Sequence, residues 1–88
     1  MVRAGRRQTT GMRVVLYGKP GCCLCDVAES RLRAMAERVP LRIDKVDILS
    51  DPALEARFGL TIPAVEVDGV VVSEGRFDEN AVARAVGA

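Results

Sequence analysis

The order of local signals along the chain predicts an α/β fold, β-α-β-α-β-β-α, with a four-stranded mixed sheet flanked by helices. Three observations carry this expectation. An apolar run at Val14, Val15, Leu16 and Tyr17 passes through a turn into helical periodicity, and a second apolar segment follows Pro40. A strand, a crossover helix and a second strand imply a parallel pair joined right-handedly. Asp68-Gly69 between two β-branched runs signals a tight hairpin, and so an antiparallel pair.

The first strand, Val14 to Tyr17, is continuously apolar between Arg13 and Gly18, as a strand buried on both faces requires. From Cys23 to about Arg38 the pattern is helical: Leu24, Ala28, Leu32, Met35 and Val39 recur at helical steps, while Asp26, Glu29, Arg33 and Glu37 fall elsewhere. Glu29 and Arg33 form a favourable i, i+4 pair, and Pro40 is expected to stop the helix. Leu41 to Ile48 reads as the second strand, although its alternation slips. Leu41 and Ile43 share one face, then Val46 and Ile48 the other, which predicts a bulge or a shorter strand. Asp51-Pro52 ahead of Ala53, Leu54 and Phe58, with Gly59 beyond, predicts a short helix with an N-cap and a proline at its first position. Residues 64–67 and 70–73 supply the hairpin strands. Asp78 caps a final helix whose inner face is Ala81, Val82, Ala85 and Val86, with Phe77 placed to pack on Val82 as a hydrophobic staple.

A chain of 88 residues, 49% of them hydrophobic, has material for one small core. No stretch approaches the roughly 20 apolar residues that cross a bilayer. The arginines at the amino end are not followed by the apolar segment of a cleaved leader. The expectation is a soluble, cytoplasmic monomer with no membrane partner. Arg3, Arg6, Arg7 and Arg13 lie in a stretch without acids, so residues 1–11 read as a flexible basic tail ahead of a domain over 12–88. Four arginines without interleaved aromatics do not make a nucleic-acid arm, and no nucleic-acid partner is expected.

Chemistry concentrates at Cys22-Cys23-Leu24-Cys25, which follows the first strand and the turn Gly18-Lys19-Pro20-Gly21. Three cysteines within four positions cannot staple distant loops, so they serve chemistry or metal rather than scaffolding. Two thiols at C-x-x-C spacing where a strand hands over to a helix suit thiol-disulfide exchange. The first would lie at the helix N-terminus, where unpaired N–H groups and the macrodipole favour the thiolate, the attacking form. Cys22 therefore reads as the nucleophile.

With Leu16 to Cys25 in place, two further segments, Thr61-Ile62-Pro63 and the hairpin Val65-Glu66-Val67-Asp68-Gly69, complete a pattern covering residues 12–88. The chain resembles the thioredoxin superfold and, within it, the glutaredoxin-like family of small bacterial proteins. That resemblance implies a cis Ile62-Pro63 bond facing the C-x-x-C, with the Ile62 backbone offered to an extended substrate segment. It also implies substrate-binding roles for Lys19, beside the thiolate, and for Thr61, on the ligand backbone. A solvated turn lysine and a structural threonine are the competing readings. Glutathione-binding members usually carry a Gly-Gly pair after the hairpin; here those positions hold Ser73-Glu74, then Gly75 and Arg76. Glu74 would set a like charge near the carboxylates of glutathione. The chain also has no tryptophan before the motif, and Cys-Leu stands between the cysteines where thioredoxins have Gly-Pro.

The mechanism expected is attack by Cys22 on a disulfide, giving a mixed disulfide that Cys25 resolves, with no cofactor and no metal. The substrate would be a disulfide-bearing protein or small thiol, and the reductant a reductase or a low-molecular-weight thiol. Cys23, offset by about 100° around the helix, reads as a bystander or a second redox sulfur. Two alternatives stay open: an iron-sulfur or metal carrier pooling thiolates across a dimer, and a redox-regulated binding module without turnover. One chain, with three cysteines and no histidine, cannot fill the usual four-ligand zinc sites.

Overall fold

The computed structural model describes residues 11–87, and the expected basic tail lies outside them except for Gly11. Strand β1 (Met12–Gly18) leads through the turn to helix α1 (Cys23–Ala36), then β2 (Leu41–Asp47). A single 3-10 turn (Ile48–Ser50) and helix α2 (Pro52–Phe58) follow, then the hairpin strands β3 (Ala64–Val67) and β4 (Val70–Glu74), and helix α3 (Glu79–Val86). The sheet order is β2-β1-β3-β4. β1 and β2 are parallel, from Met12 opposite Leu41 to Gly18 opposite Asp47, while β3 runs antiparallel to both β1 and β4. This is the mixed sheet the sequence predicts.

The two faces of the sheet are unequal. Val14 and Leu16 of β1 and Val65 and Val67 of β3 meet Ala28, Leu32 and Met35 of α1 and Val82 and Val86 of α3, all buried. On the opposite face a smaller cluster joins Ile48, Phe58 and Ala64, with Tyr17, Leu54, Ile62 and Val71 packed against it. Fully burying each large side chain contributes about 1.5–3 kcal/mol. Tyr17 and Phe58 stack at 4.5 Å between ring centroids, and the Arg57 guanidinium lies 4.7 Å over the Phe58 ring. The Tyr17 hydroxyl donates to Glu66 at 3.0 Å. Burial first, and then that hydrogen bond and the carboxylate's charge, push the phenol above its ordinary pKa.

Element ends follow their caps. The Asp51 carboxylate accepts from the Ala53 N–H, and Asp78 from that of Ala81, as expected of both N-caps. Phe77 packs against the main cluster that contains Val82. Asp68, with φ of 48°, and Gly69, with φ of 90°, form the left-handed pair that a two-residue hairpin requires. Asp68 also accepts from the Arg13 N–H at 3.1 Å, which ties the turn to β1.

Helix α1 stops at Ala36, ahead of the expected end near Arg38. The Arg38 and Val39 amides both turn back to the Met35 carbonyl, a tightened last turn that carries the chain out of helix before Pro40. The slip in β2 is not a bulge, because its register with β1 is unbroken. The strand ends at Asp47, and Ile48 begins the 3-10 turn, where it packs on Phe58. Lys45 continues the face of Leu41 and Ile43, and its ammonium meets Glu29 of α1 at 2.9 Å. A long amphipathic side chain can hold an inward position in this way while its charge stays wet.

Candidate active site

Cys22 is the N-cap of α1, with extended backbone at φ −91° and ψ 111°. Its carbonyl accepts the first helical bond, from Asp26, and its Sγ accepts from the Cys25 N–H at 3.2 Å. Sulfur thus takes the place that serine or aspartate oxygen fills at other helix starts. A sulfur bearing negative charge gains most from that donor and from the helix dipole. Cys22 is half-buried, Cys23 exposed and Cys25 buried, and all three are free thiols.

Cys25, on the first turn of α1, faces the sheet. Burial is the main cause that pushes its pKa up, from 9.0 to about 11, and the hydrogen bond to the Cys22 sulfur adds to it. The Lys19 backbone N–H, directed at the Cys25 sulfur, works in the other direction. The two sulfurs therefore differ in environment: Cys22 Sγ is half-buried and accepts from a backbone N–H, and Cys25 Sγ is enclosed with its pKa raised. Gly18, the last residue of β1, makes room for the second. A Cβ there would sit 2.8 Å from Cys25 Sγ and 3.2 Å from Cys25 Cβ.

Beside Cys25 lies a cavity of about 330 Å³, bordered by Gly18, Lys19, Glu29, Lys45 and Asp47 among others. Glu29 bridges Lys45 and Arg33, and Lys45 followed by Arg33 holds its carboxyl below the usual range. This charged border escapes a reading centred on the cysteine motif. Its sequence signals are the i, i+4 spacing of Glu29 and Arg33 and, in β2, Lys45 on the face of Leu41 and Ile43.

The Ile62-Pro63 bond is cis. Tyr17 pairs with Ala64, so Pro63 enters β3 at the same end of the sheet where Gly18 leaves β1 for the cysteine turn. Pro63 is fully buried. The Ile62 side chain packs on the Ile48, Phe58 and Ala64 cluster, and among the described residues its backbone N–H and C=O take no backbone partner. Thr61 behaves differently: its carbonyl accepts from the Gly75 N–H at 2.7 Å, and its hydroxyl oxygen is buried without any hydrogen-bond partner. The structure thus brings Cys22, Cys25 and the Lys19 backbone together and sets Ile62 and Pro63 at the same sheet end. The Thr61 hydroxyl is turned inward. Lys19 itself is exposed, and among the described residues its ammonium forms no ion pair. Nor does any group of three or more His, Cys, Asp and Glu among those residues converge as a metal site.

A four-stranded mixed sheet, three helices, a dithiol at the start of α1 and a cis-proline entering β3 define a protein of the thioredoxin-like class. Solved structures agree. Protein Ne2328 from Nitrosomonas europaea matches at a TM-score of 0.79 and 17% identity, over 98% of this chain and 99% of that one. The protein XcR50 from X. campestris matches at 0.64 and 31% identity, over 78% and 88%. A mutant thioredoxin from Halobacterium salinarum matches at 0.63 and 23%, over 88% and 73%. Residues 13–87 match the family described as Glutaredoxin-like domain (DUF836), and the chain belongs to that family. A search of the curated proteins finds no match.

Proposed function

We propose that this protein is a thiol-disulfide oxidoreductase in which Cys22 attacks and Cys25 resolves. The observation that carries the reading is the asymmetry of the pair. Cys22 Sγ caps α1 and accepts the Cys25 N–H, whereas the Cys25 thiol is buried with its pKa raised to about 11. The Cys22 thiolate displaces one sulfur of a substrate disulfide and forms a mixed disulfide, and the leaving thiolate takes up a proton. Cys25, giving up its proton, then attacks Cys22 Sγ. A Cys22–Cys25 disulfide forms, the second substrate thiol leaves, and two electrons have passed to the substrate. A reductase or a low-molecular-weight thiol returns the pair to the dithiol. The unpaired backbone of Ile62 suits an extended substrate segment, which can hydrogen-bond to it as a strand does.

No cofactor enters this scheme. No helix among the described residues is long and apolar enough to cross a membrane. In this reading the protein acts as a monomer in a reducing cytoplasm, on disulfide-bearing proteins or small thiols. The test is alkylation and turnover together. Mild alkylation at neutral pH should label Cys22 well before Cys25, and the reduced protein should reduce hydroxyethyl disulfide catalytically when recycled by dithiothreitol. Cys22→Ser should abolish turnover, and Cys25→Ser should trap mixed disulfides. First labelling at Cys25, or turnover that survives Cys22→Ser, would refute the assignment.

A further inference from the structure

Beyond the dithiol, one surface is both apolar and charged. A shallow groove is lined by Leu24, Val27 and Arg31 of α1 and by Arg76, Phe77 and Glu79 at the start of α3. Leu24, Val27 and Arg31 form one helical stripe, and the first two are about half exposed, at 49% and 48%. Ordinary helix amphipathicity would put polar residues there. Leu24 lies two residues after the N-cap Cys22, so the near end of the groove is within one helical turn of the residue proposed to react, and Cys22 itself does not line it. Its far end is closed by the ion pair of Arg31 with Glu79 at 3.2 Å. Arg76 has no such partner: among the described residues no carboxylate lies within ion-pair distance of it. From Leu24 to Arg31 the helix rises roughly 10 Å, the reach of about three extended residues.

Resting on the oxidoreductase reading, we infer that this groove docks the segment flanking the target cysteine of a protein disulfide, and that it favours segments pairing an apolar residue with an acidic one. The apolar side chain lies on Leu24, Val27 and Phe77. The carboxylate meets Arg76, which among the described residues has no ion-pair partner, whereas Arg31 is paired with Glu79. Glu74, which argues against glutathione, does not line the groove. Substrate choice would then be made by the segment around α1 and α3, apart from the sulfurs that carry the chemistry.

The test uses two synthetic peptides that differ only in charge, each carrying one cysteine as a thionitrobenzoate mixed disulfide, followed by Leu and then either Asp or Lys. The reduced wild-type protein should release thionitrobenzoate from the Asp peptide about 2- to 5-fold faster in kcat/KM, the scale of one exposed ion pair. Raising salt should shrink that ratio. Arg76→Glu should invert it while leaving reduction of neutral hydroxyethyl disulfide unchanged, and Leu24→Ser should slow both peptides by about 3- to 10-fold. Anisotropy of dye-labelled peptides with Ser in place of Cys reads docking without chemistry and should show the same order. Equal rates and equal binding for the two peptides, or an Arg76→Glu variant with the wild-type preference, would overturn the groove assignment even though turnover persists. The Asp preference in binding with no thionitrobenzoate release would uphold the groove and overturn the redox reading. A glutathione mixed disulfide reduced faster than the Asp peptide would count against a protein segment as the occupant.

Discussion

Gly18→Ala tests whether the end of β1 is built around the buried thiol. The new Cβ would stand 2.8 Å from Cys25 Sγ and 3.2 Å from its Cβ, where nonbonded heavy atoms of this kind settle at roughly 3.5–4.0 Å. Either Cys25 retreats into the neighbouring cavity or the strand end moves. Overpacking of this kind costs about 1–3 kcal/mol. Gly18 does not have positive φ, so the substitution also gains about 0.4–1 kcal/mol by restricting the unfolded chain. The net expectation is a loss of about 1–2 kcal/mol, a fall in Tm of roughly 4–16 °C for a domain of this size. The assay is thermal and urea denaturation of Gly18→Ala, Cys25→Ala and the double variant. Removing Sγ relieves the closer clash, so Gly18→Ala should cost less in the Cys25→Ala background, with a coupling of at least about 0.5 kcal/mol. On the proposed mechanism, Gly18→Ala should also accumulate mixed disulfide in single-turnover reduction, because the clash displaces Cys25 Sγ and does not touch Cys22. A wild-type Tm, or fully additive single variants, would refute the reasoning.

Three further outcomes are expected. Thr61→Val removes a buried hydroxyl that has no partner, so it should raise stability by up to about 1–3 kcal/mol in urea denaturation; a loss would show that this oxygen is satisfied in solution. Asp78→Ala deletes the acceptor for the Ala81 N–H and should cost about 0.5–2 kcal/mol, and an unchanged midpoint would place the start of α3 elsewhere. The Cys25 thiol binds its proton more tightly folded than unfolded, so its stability contribution is complete below pH 9 and is lost as pH rises towards about 11. Wild type should therefore lose stability relative to Cys25→Ala across that window, and parallel pH curves would contradict the raised pKa.

The sequence alone was enough for whatever depends on local chemistry. Asp51 and Asp78 are caps because a carboxylate one step before a helix can reach only the free amides ahead of it. Asp68-Gly69 specifies a two-residue hairpin because few other residues adopt left-handed backbone readily. The Cys22 and Cys25 spacing, after an apolar strand, is likewise local, and it points to the start of α1 as the candidate site. What the tertiary structure decided depends on contacts between segments far apart in sequence. The slip in the alternation of β2 is explained only by the fold, which sets Lys45 on the face of Leu41 and Ile43 with Glu29 of α1 across from its ammonium. Gly18 gave no sign of its part until β1 and α1 were set side by side, with Cys25 against it. The burial of the Thr61 hydroxyl and the bond from the Gly75 N–H to the Thr61 carbonyl arise only in the folded chain, and the groove of Leu24, Val27, Arg76 and Phe77 needs the start of α3 beside α1. Periodicity and motif report what a residue does to its own backbone. Burial, desolvation and charge pairing belong to the space between elements, and that space exists only once the chain has folded.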